Sequence, residues 1–414
     1  MDAWDLGYVG LVSAVGAVAR AVRSGLPPGP QLRLEARPPA LPAGWVWVHA
    51  VSVGELLLAD GLLGRLRDRG HILHVTTGTP AGLALLQQRL SGWDKGTGRV
   101  TGSGFPLDDP VGLAPFFEQP PKVYLALETE LWPNLLRELH GRGIPTLIVN
   151  GRLTERTLGR FRPLFSRAAG RLTRVVARDA AAAEAFRLLG APDVILGGNL
   201  KADAPAPRPL HDGWVYLRKA WAEDQVVVAG NTLDGEEALI LAAWEHARRT
   251  GAVRLILAPR QPRRFDAVAD LLRERGLRFR RASGGWPTSG DAWRETEVLL
   301  LDTLGELAAA YGEGSVALVG GGWTWDGGHN PLEPLRWGVP TLIGPGFKNF
   351  MDLVEPLSGH DLLRVTESEA LAGTLHEVLQ AATLRPQAPW GTAPLPPELC
   401  GTLDRTLTHL EAYL

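Results

Sequence analysis

Three groups of polar and glycine residues each follow a short apolar run, and these are the places where the sequence could support chemistry. The first group is residues 49–55 (HAVSVGE), directly after the apolar run at 45–48. Ser52 can cap a helix that starts here, Gly54 lets the backbone approach a ligand, and Glu55 falls in the first helical turn. A carboxylate in that position can serve as a general base, but the helix dipole alone also favours an acidic residue there. Spacing alone leaves both interpretations of Glu55 open.

The second group places Glu128 and Glu130 two positions apart, directly after the apolar run at residues 123–127. Two carboxylates this close are costly unless they are solvated or paired, and such a pair can do acid–base work or bind a polar substrate. Capping of the next helix is the alternative interpretation. Asn150 and Arg152 follow the next predicted strand, so we expect them to face the same crevice.

The third group is rich in glycine and covers residues 320–322 (GGG) and 327–334 (GGHNPLEP). Glycines let the backbone approach phosphates, and a helix that starts near Pro331 offers free N–H groups to an anion. Glu333, in the first turn of that helix, could accept hydrogen bonds from ribose hydroxyls. The pattern is neither a GxGxxG fingerprint nor a P-loop, so it supports neither an NAD site nor a P-loop NTPase.

Two shorter pieces belong with the third group. Arg260 follows the apolar run at residues 254–258 and is suited to bind a phosphate, with a solvated surface arginine as the alternative. Residues 302–307 (DTLGEL) follow the next strand-like run. The sequence contains no Asp-x-Asp, His-Glu-x-x-His or Gly-x-Ser-x-Gly pattern, its ten histidines show no ligand spacing, and it has one cysteine. We therefore expect neither a metal site nor a cofactor.

Apolar runs that alternate with amphipathic stretches predict the scaffold for these groups. The predicted strands are residues 45–49, 72–76, 123–127, 146–149 and 173–177 in the first half, and 226–229, 254–258, 298–301, 316–319 and 341–343 in the second. The predicted helices include residues 56–69, 81–90, 131–142, 235–248, 265–275, 331–337 and 398–414. Strands that alternate with helices predict an α/β fold with parallel sheets covered on both faces and ligand sites at the carboxyl ends of the strands.

The length of 414 residues suits two domains, and the Pro-rich segment at 201–210 (KADAPAPRPL) interrupts the pattern between them. The predicted organisation is an N-terminal apolar helix at 1–25, a Rossmann-like domain at 26–203, a linker at 204–210, a second Rossmann-like domain at 211–383, and a linker with a C-terminal helix at 384–414. Two such domains suit an enzyme with its ligand in the cleft between them. The net charge of −2 argues against nucleic-acid binding.

The N-terminal segment allows two interpretations. Residues 6–19 carry no charge and are followed by Arg20 and Arg23, but fourteen residues fall short of the roughly 20 that span a bilayer. Asp2 and Asp5 stand where a signal peptide carries positive charge, so we do not expect export. A helix on the membrane surface and an ordinary buried helix both fit the pattern.

Collinear motifs across residues 45–360 resemble those of one family. They are residues 49–55 (HAVSVGE), 76–82 (TTGTPAG), 106–110 (PLDDP), 128–134 (ETELWPN), 150–153 (NGRL), 198–203 (GNLKAD), 235–237 (GEE), 259–265 (PRQPRRF), 302–307 (DTLGEL), 319–321 (VGG), 327–334 (GGHNPLEP) and 344–350 (GPGFKNF). SVGE, ETELWPN and GGHNPLEP are each specific. The chain resembles the Kdo (3-deoxy-D-manno-octulosonic acid) transferases, which are inverting glycosyltransferases of the GT-B fold.

The resemblance implies two doubly wound Rossmann-like domains that face a central cleft, with the C-terminal helix packing back toward the first domain. It implies the nucleotide-sugar donor CMP-Kdo and a lipid A precursor or other glycolipid as acceptor. It implies inverting transfer without a metal ion, in lipopolysaccharide core biosynthesis. It places the protein at the cytoplasmic face of the inner membrane, bound peripherally or anchored by its N-terminal segment. The alternatives are a related transferase that uses another nucleotide sugar and glycolipid, and a sugar-nucleotide epimerase-like enzyme.

Carried over by position, the resemblance also implies roles for residues of the first half. Glu55 corresponds to the general base, and Glu128 to an essential acidic partner. The residues expected on the acceptor side are Ser52, Gly54, Asn150 and Arg152.

In the second half the resemblance implies a donor site. Arg260 corresponds to a ligand of the donor phosphate, and the turn at Gly305 and Glu306 to a cytidine contact. Asn330 and Glu333 correspond to further donor-binding residues.

The sequence departs from the family pattern at four places. Residues 231–237 read NTLDGEE where the family has Ser-Thr-His-x-Gly-Glu-Glu. Gln261 replaces the histidine of Pro-Arg-His, and Gly322 replaces the serine of Gly-Gly-Ser. These three departures lie in the donor half. Residues 26–44, which we interpret as a Pro-rich spacer, stand where the family has an Arg-x-Glu-Arg-type stretch.

Overall fold

The computed structural model describes residues 3–93, 99–153, 162–203, 212–382, 391, 393, 395–396 and 399–414. The chain forms two compact units, one of Met1–Ala204 together with Gly401–Leu414 and the other of Pro205–Cys400. The linker expected at 204–210 and most of the Pro-rich stretch at 384–397 lie outside the described residues.

The first unit is built on a seven-stranded parallel sheet with the strand order β3-β2-β1-β4-β5-β6-β7. The strands are β1 Val46–His49, β2 Leu73–Thr77, β3 Val100–Gly104, β4 Val123–Leu127, β5 Thr146–Gly151, β6 Arg174–Ala177 and β7 Val194–Leu196. Its described helices before the second unit are α1 Ala3–Ala21, α2 Pro28–Glu35, α3 Val53–Asp68, α4 Pro80–Trp93, α5 Pro110–Leu113, α6 Pro133–Gly141, α7 Arg162–Ala169 and α8 Ala180–Leu189.

Side chains that alternate along the inner strands of this sheet supply two hydrophobic layers. Trp47 of β1 stacks on Phe116 with ring centroids 4.7 Å apart and meets Tyr124 of β4 edge-on on the same face. Val48 points the other way and belongs to the layer that includes Leu62 of α3. Because both faces are covered, the inner strands are apolar at successive positions, as the sequence pattern indicated.

The second unit contains another seven-stranded parallel sheet, with the order β10-β11-β9-β8-β12-β13-β14. The strands are β8 Gln225–Thr232, β9 Val253–Pro259, β10 Phe279–Arg281, β11 Val298–Leu300, β12 Val316–Val319, β13 Thr341–Ile343 and β14 Leu363–Val365. Its described helices are α9 Gly213–Ala220, α10 Glu236–Ala247, α11 Phe265–Glu274, α12 Gly290–Arg294, α13 Leu307–Ala310, α14 Leu332–Arg336, α15 Met351–Val354 and α16 Leu371–Ala381.

The last helix, α17 (Thr402–Leu410), returns to the first unit and contacts α3. The Asp203 carboxylate fixes its start by accepting hydrogen bonds from the N–H groups of Gly401 and Leu403, at 3.0 and 2.6 Å, and from the Thr402 hydroxyl at 2.8 Å. The C-terminal helix therefore packs on the first unit, as the resemblance implied.

The structure extends the predictions for the N-terminal region and corrects one of them. Helix α1 is longer than the uncharged run alone, and no helix in the described ranges is both long and apolar enough to cross a membrane. The stretch at 26–44, interpreted as a Pro-rich spacer, contains α2. Proline suits the first turn of a helix because its missing N–H would have no partner there, so Pro28 begins α2 instead of preventing it.

Removal of the Asp203 carboxylate tests how α17 is held. Asp203→Ala should cost about 1–2 kcal/mol of local stability, because three hydrogen bonds at the start of the helix are lost. Amide hydrogen exchange across residues 403–410 should then become roughly 5–30-fold faster. Asp404→Ala, which alters a carboxylate on the same helix whose side chain is 70% exposed, is the matched control. Equal exchange rates in the two variants would contradict this role for Asp203.

Candidate active site

In the first unit, the strand order β1-β4-β5 brings three polar loops to one edge of the sheet. Strand β1 leads into Ser52 and Glu55, and β4 leads into Glu128. Asn150 lies near the end of β5, which leads into Arg152. Because the strands are parallel, their carboxyl ends meet at the same edge. The structure therefore gathers the predicted catalytic and acceptor-side residues.

Glu55 lies in the first turn of α3, and its carboxylate closes that turn. Its Oε2 accepts a hydrogen bond from the Val51 N–H at 2.5 Å, and its Oε1 lies 3.5 Å from the Ser52 hydroxyl. Ser52 stands at the N-cap, but its hydroxyl makes no capping hydrogen bond to the helix, so the capping role predicted for it is wrong. At Gly54 an added Cβ would meet only the Ser52 hydroxyl, at 3.8 Å, which leaves space beside the turn.

The environment of Glu55 shifts its proton affinity. Burial, with smaller contributions from the negative charges of Glu130 and Glu128, raises the pKa of the Glu55 carboxyl from 4.5 to about 7. The hydrogen bond from the Val51 N–H acts in the opposite direction. A carboxyl with a pKa near neutrality is well matched to taking up and releasing a proton at physiological pH. One side chain thus combines a turn-closing hydrogen bond with a pKa near neutrality.

Glu128 has a backbone φ of +60°, a left-handed conformation that costs little for glycine but more for other residues. Its N–H donates to the Val149 carbonyl at 3.0 Å, and its carbonyl accepts from the Arg152 N–H at 3.3 Å. Non-glycine residues in such conformations concentrate at functional sites, where the surrounding structure enforces them. The backbone of Glu128 therefore supports a functional role for this residue.

Asn150 also has a left-handed backbone, with φ +56°, but its side chain has a partner within the fold. It is 1% exposed, and its Oδ1 accepts a hydrogen bond from the Leu200 N–H at 2.9 Å. The Arg152 carbonyl accepts a hydrogen bond from the Thr129 hydroxyl. Asn150 thus lies at the predicted edge with its amide oxygen engaged in holding the following segment.

A buried histidine and Glu130 extend this site beyond the predicted residues. Glu130 Oε2 accepts a hydrogen bond from Trp132 Nε1 at 2.6 Å and lies 3.5 Å from His49 Nε2. His49 is fully buried, stacks on Phe105 at 3.9 Å between ring centroids, and places Nδ1 3.0 Å from the Thr76 carbonyl oxygen. A histidine that ends an otherwise apolar strand was the sequence signal for this arrangement.

The guanidinium of a further residue, Arg33 of α2, lies 4.2 Å from the ring centroid of Trp132. Sequence analysis missed Arg33 because it falls in the stretch interpreted as a spacer. The alternation of leucines around it in residues 32–34 (LRL) was the available signal for a short ordered element.

In the second unit, the buried carboxylate of Glu236 organises the glycine-rich loop. Both of its oxygens accept from the Gly321 N–H, at 2.9 and 2.8 Å, and they also accept from the N–H groups of Trp323 and Leu233 at 3.0 and 2.9 Å. Glu236 is fully buried at the start of α10. Its neighbour Glu237 forms a 3.0 Å ion pair with Arg264. These contacts fix a backbone that glycines alone would leave flexible.

Arg260, His329 and Glu333 lie near one another beside this loop. Arg260 is exposed, and its guanidinium has no hydrogen bond or ion pair with any residue that the structure describes. Burial raises the pKa of Glu333 to about 7, and the Arg260 charge acts against that rise. Burial lowers the pKa of His329, which keeps the ring neutral, and its Nδ1 lies 2.9 Å from the Gly320 carbonyl oxygen. A proton on Nδ1 satisfies that contact and leaves Nε2 as an acceptor.

The remaining predicted donor residues contribute to the local fold. Gly305 has φ +90° and forms a tight turn, whereas the Glu306 side chain is fully buried. Glu306 accepts hydrogen bonds from Trp214 Nε1 at 3.3 Å and from the Thr303 hydroxyl. Of the predicted cytidine contact at Gly305 and Glu306, the backbone of the turn is therefore suited to meet a ligand, and the Glu306 side chain is not. Asn330 Oδ1 accepts from the N–H at the first position of α14, at 3.1 Å.

Comparisons with known proteins agree with this architecture. A family model described as 3-Deoxy-D-manno-octulosonic-acid transferase (kdotransferase) matches residues 22–204. The chain is 32% identical over 387 residues to the 3-deoxy-D-manno-octulosonic acid transferase of Haemophilus influenzae, an alignment that covers 90% of this chain and 88% of that protein. It is 31% identical to the protein of the same name from Bordetella pertussis, with 92% and 90% covered.

Among solved structures, the crystal structure of UDP-GlcNAc 2-epimerase from Neisseria meningitidis aligns with a TM-score of 0.54. It covers 88% of this chain and 98% of that one at 12% identity. Likeness at that identity shows the fold alone, so it gives no support to an epimerase activity. Two seven-stranded parallel sheets in a GT-B-like fold, together with relatives above 30% identity over most of the chain, show that the protein belongs to the Kdo transferase family of glycosyltransferases.

Proposed function

We propose that this protein transfers Kdo from CMP-Kdo to a lipid A precursor in lipopolysaccharide core biosynthesis, with inversion at the anomeric carbon and without a metal ion. The observation that carries the proposal is the Glu55 carboxyl, whose pKa of about 7 suits a base and which lies at the same edge as the strained Glu128. The names of the Haemophilus influenzae and Bordetella pertussis relatives support Kdo as the transferred sugar.

In the proposed reaction the Glu55 carboxylate takes the proton of an acceptor hydroxyl. The oxygen of that hydroxyl forms a bond to the anomeric carbon of Kdo while the bond from this carbon to the phosphate oxygen of CMP breaks. The electron pair of the broken bond leaves with the phosphate, so CMP departs with one more negative charge. Attack from the face opposite the leaving group inverts the anomeric centre and needs one base.

The second unit offers groups for the donor. The Arg260 guanidinium, with no partner among the described residues, is suited to bind the phosphate and to stabilise the charge that develops on it. Partly protonated Glu333 and the Nε2 of neutral His329 provide acceptors for hydroxyl or amino groups of the nucleotide sugar. A guanidinium placed in this way takes the electrostatic role that a divalent cation has in other transferases.

The apolar face of α1 supports a membrane location for the proposed reaction. Trp4, Leu11, Val15 and Val18 are each more than half exposed, and their helical spacing places them along one stripe. The exposed residues of α1 for which burial is described include no charged side chain. A lipid acceptor and an apolar helix face both point to the cytoplasmic surface of the inner membrane.

The other face of α1 is tied to the first unit by ion pairs. Arg20 donates to both carboxylate oxygens of Asp109 at 2.8 and 2.7 Å, and Arg171 pairs with Asp5 at 2.6 Å. The helix is therefore held with its apolar side outward. That arrangement suits a helix that lies in the plane of the lipid interface.

Glu55→Gln tests the base. Glutamine can still accept the hydrogen bond from Val51 but cannot take a proton, so turnover of CMP-Kdo with a lipid A precursor should fall roughly 10²–10⁴-fold. Donor affinity should change little, because the proposed donor residues lie in the other unit. Glu128→Gln is the control for a second carboxylate. If Glu55→Gln keeps more than about a tenth of the activity while Glu128→Gln abolishes it, the base is Glu128.

The pH dependence of the same carboxyl separates a base from a simple cap. In the wild-type enzyme, kcat/KM should fall about tenfold per pH unit below about pH 7. The pKa of Glu55 is raised from 4.5 to about 7 in the folded protein, so the folded state favours the protonated carboxyl. The contribution of Glu55 to the free energy of unfolding is therefore fully present below pH 4.5 and is lost as the pH rises through about 7. Glu55→Gln should therefore melt at a higher temperature than wild type at about pH 8. A lower melting temperature would indicate that the carboxylate serves only to cap α3.

Arg260→Ala tests the donor site. Loss of a charge-assisted contact worth about 1.5–3 kcal/mol should weaken CMP-Kdo binding about 10–150-fold by calorimetry. Arg263→Ala, an exposed arginine in the same motif, is the matched control. The titrations are run in EDTA and repeated with UDP-sugars. Loss of wild-type binding in EDTA would contradict a metal-independent donor site, and tighter binding of a UDP-sugar would contradict CMP-Kdo as the donor.

Substitutions on the apolar face of α1 test membrane association. Leu11→Glu combined with Val18→Glu should reduce cosedimentation with vesicles of inner-membrane lipids, since two charges would enter the interface. Turnover of a detergent-dispersed acceptor should be spared. Leu188→Glu, which alters a leucine on α8 that is 56% exposed, is the control. Equal vesicle binding by all three proteins would show that α1 does not attach the enzyme to the membrane.

A further inference from the structure

Arg33 occupies an unusual position at the carboxyl edge of the first sheet. Its guanidinium lies 4.2 Å from the ring centroid of Trp132 and 5.4 Å from that of Phe105. Its carbonyl accepts a hydrogen bond from the Leu107 N–H at 3.1 Å, which fixes this part of α2 against the loop after β3. The side chain is therefore held beside the loops that follow β3 and β4.

The Arg33 guanidinium makes no hydrogen bond, and no ion pair within 4.0 Å, with the part of the chain that the structure describes. Stacking on an indole uses the face of the guanidinium, whereas its five N–H donors point outward in the plane. Burial lowers the pKa of Arg33, which reflects water removed from a group that stays charged. A partly buried cation with unused in-plane donors is favourable mainly when an anion meets it.

The two carboxylates that favour the charge of Arg33 are engaged by other donors. Glu130 accepts from the indole of Trp132. Asp108 accepts from the N–H groups of Asn134 and Leu135, at 3.0 and 2.8 Å, and from the hydroxyl of Tyr8 in α1 at 3.2 Å. They keep Arg33 protonated without occupying its N–H groups.

Four carboxylates lie at this edge of the sheet, together with Arg152 after β5. Asp108 follows β3, Glu55 follows β1, and Glu128 and Glu130 follow β4 of the same sheet. An anionic sugar that entered here to place its hydroxyl near Glu55 would be repelled unless a cation offset those charges. The positive charge of Arg33 interacts with two of these carboxylates, Glu130 and Asp108.

We propose that Arg33 binds an anionic substituent of the acceptor sugar, a phosphate monoester or a carboxylate, through its in-plane N–H groups while its face rests on Trp132. This proposal rests on the proposed function for the identity of the acceptor as an anionic glycolipid. A planar, bidentate donor matches both phosphate and carboxylate oxygens. The same contact orients the acceptor hydroxyl at the edge that carries Glu55.

The experiment measures binding without the donor, so that it does not depend on turnover. Calorimetry compares a glucosamine disaccharide in three forms: with phosphate groups, without them, and with a carboxylate-bearing sugar in their place. Wild type should bind one or both anionic forms about 10–150-fold more tightly than the neutral form, as a charge-assisted hydrogen bond predicts. The form that shows the preference identifies the substituent that Arg33 binds.

Arg33→Gln should remove that preference and leave the affinity for the neutral disaccharide unchanged. Arg33→Lys keeps the charge but loses the planar donor pair, so it should retain part of the preference for the anionic forms. This variant also keeps the test informative if Arg33→Gln fails to fold. Arg37→Gln, which changes an exposed arginine just after α2, should behave like wild type.

Three outcomes would overturn the proposal: no wild-type preference for an anionic form, no wild-type binding of any form, or equal weakening of all forms by Arg33→Gln. The last result would mean that the stack on Trp132 only supports the fold. A different result would separate the two proposals: the protein prefers the anionic disaccharide through Arg33 but does not transfer Kdo. That result would support this inference and contradict the proposed function.

Discussion

Hydrogen bonds from loop N–H groups to buried or partly buried carboxylates hold the segments on which both candidate sites depend. Residues that follow a strand leave the sheet, so their N–H groups lose the partners that a neighbouring strand supplies and must find others. Glu236 meets this need for the N–H groups of Gly321, Trp323 and Leu233. Glu55 does the same for Val51 at the end of β1. A carboxylate suits this task because its two oxygens accept several bonds at once, and charge-assisted bonds are stronger than neutral ones.

The number of hydrogen-bond donors around a carboxylate distinguishes a structural residue, such as Glu236, from a candidate for proton transfer, such as Glu55. Both oxygens of Glu236 are occupied by backbone N–H groups inside the fold, so the proton of a substrate has no place to bind. At Glu55 one oxygen meets Val51, and the other has only the Ser52 hydroxyl at 3.5 Å. Burial and the negative charges of Glu130 and Glu128 raise the pKa of Glu55, and the hydrogen bonds from Val51 and Ser52 only partly oppose that rise. The raised pKa that makes an ionised Glu55 unfavourable at this position is the same property that suits the side chain to the proposed role of a base.

The sequence predicted the inner strands of both sheets and missed the strands at their edges. Strands β3, β7, β10 and β14 each have one neighbour, so their side chains need not be apolar; β10 reads FRR and β14 reads LRV. The positions of Glu55 and Glu128 at one sheet edge also followed from the parallel arrangement. What could not be predicted were contacts between distant segments. The stack of Arg33 on Trp132 and the buried contact of Glu306 with Trp214 depend on packing between segments that are distant in sequence, which no local pattern encodes.

Two carboxyls with pKa values raised to about 7 suit opposite parts of the proposed transfer. At Glu55, burial among like charges makes the carboxylate basic enough to take a proton from a hydroxyl near neutral pH. At Glu333 the same physical cause acts beside Arg260. A fully ionised carboxylate there would pair with the guanidinium and compete with the donor phosphate for it. Burial keeps Glu333 partly protonated, so it can serve the sugar nucleotide as a hydrogen-bonding group while the charge of Arg260 stays available for the departing phosphate. Desolvation thus raises the pKa of the proposed base in one unit, and in the other it leaves the proposed phosphate-binding guanidinium with its charge available.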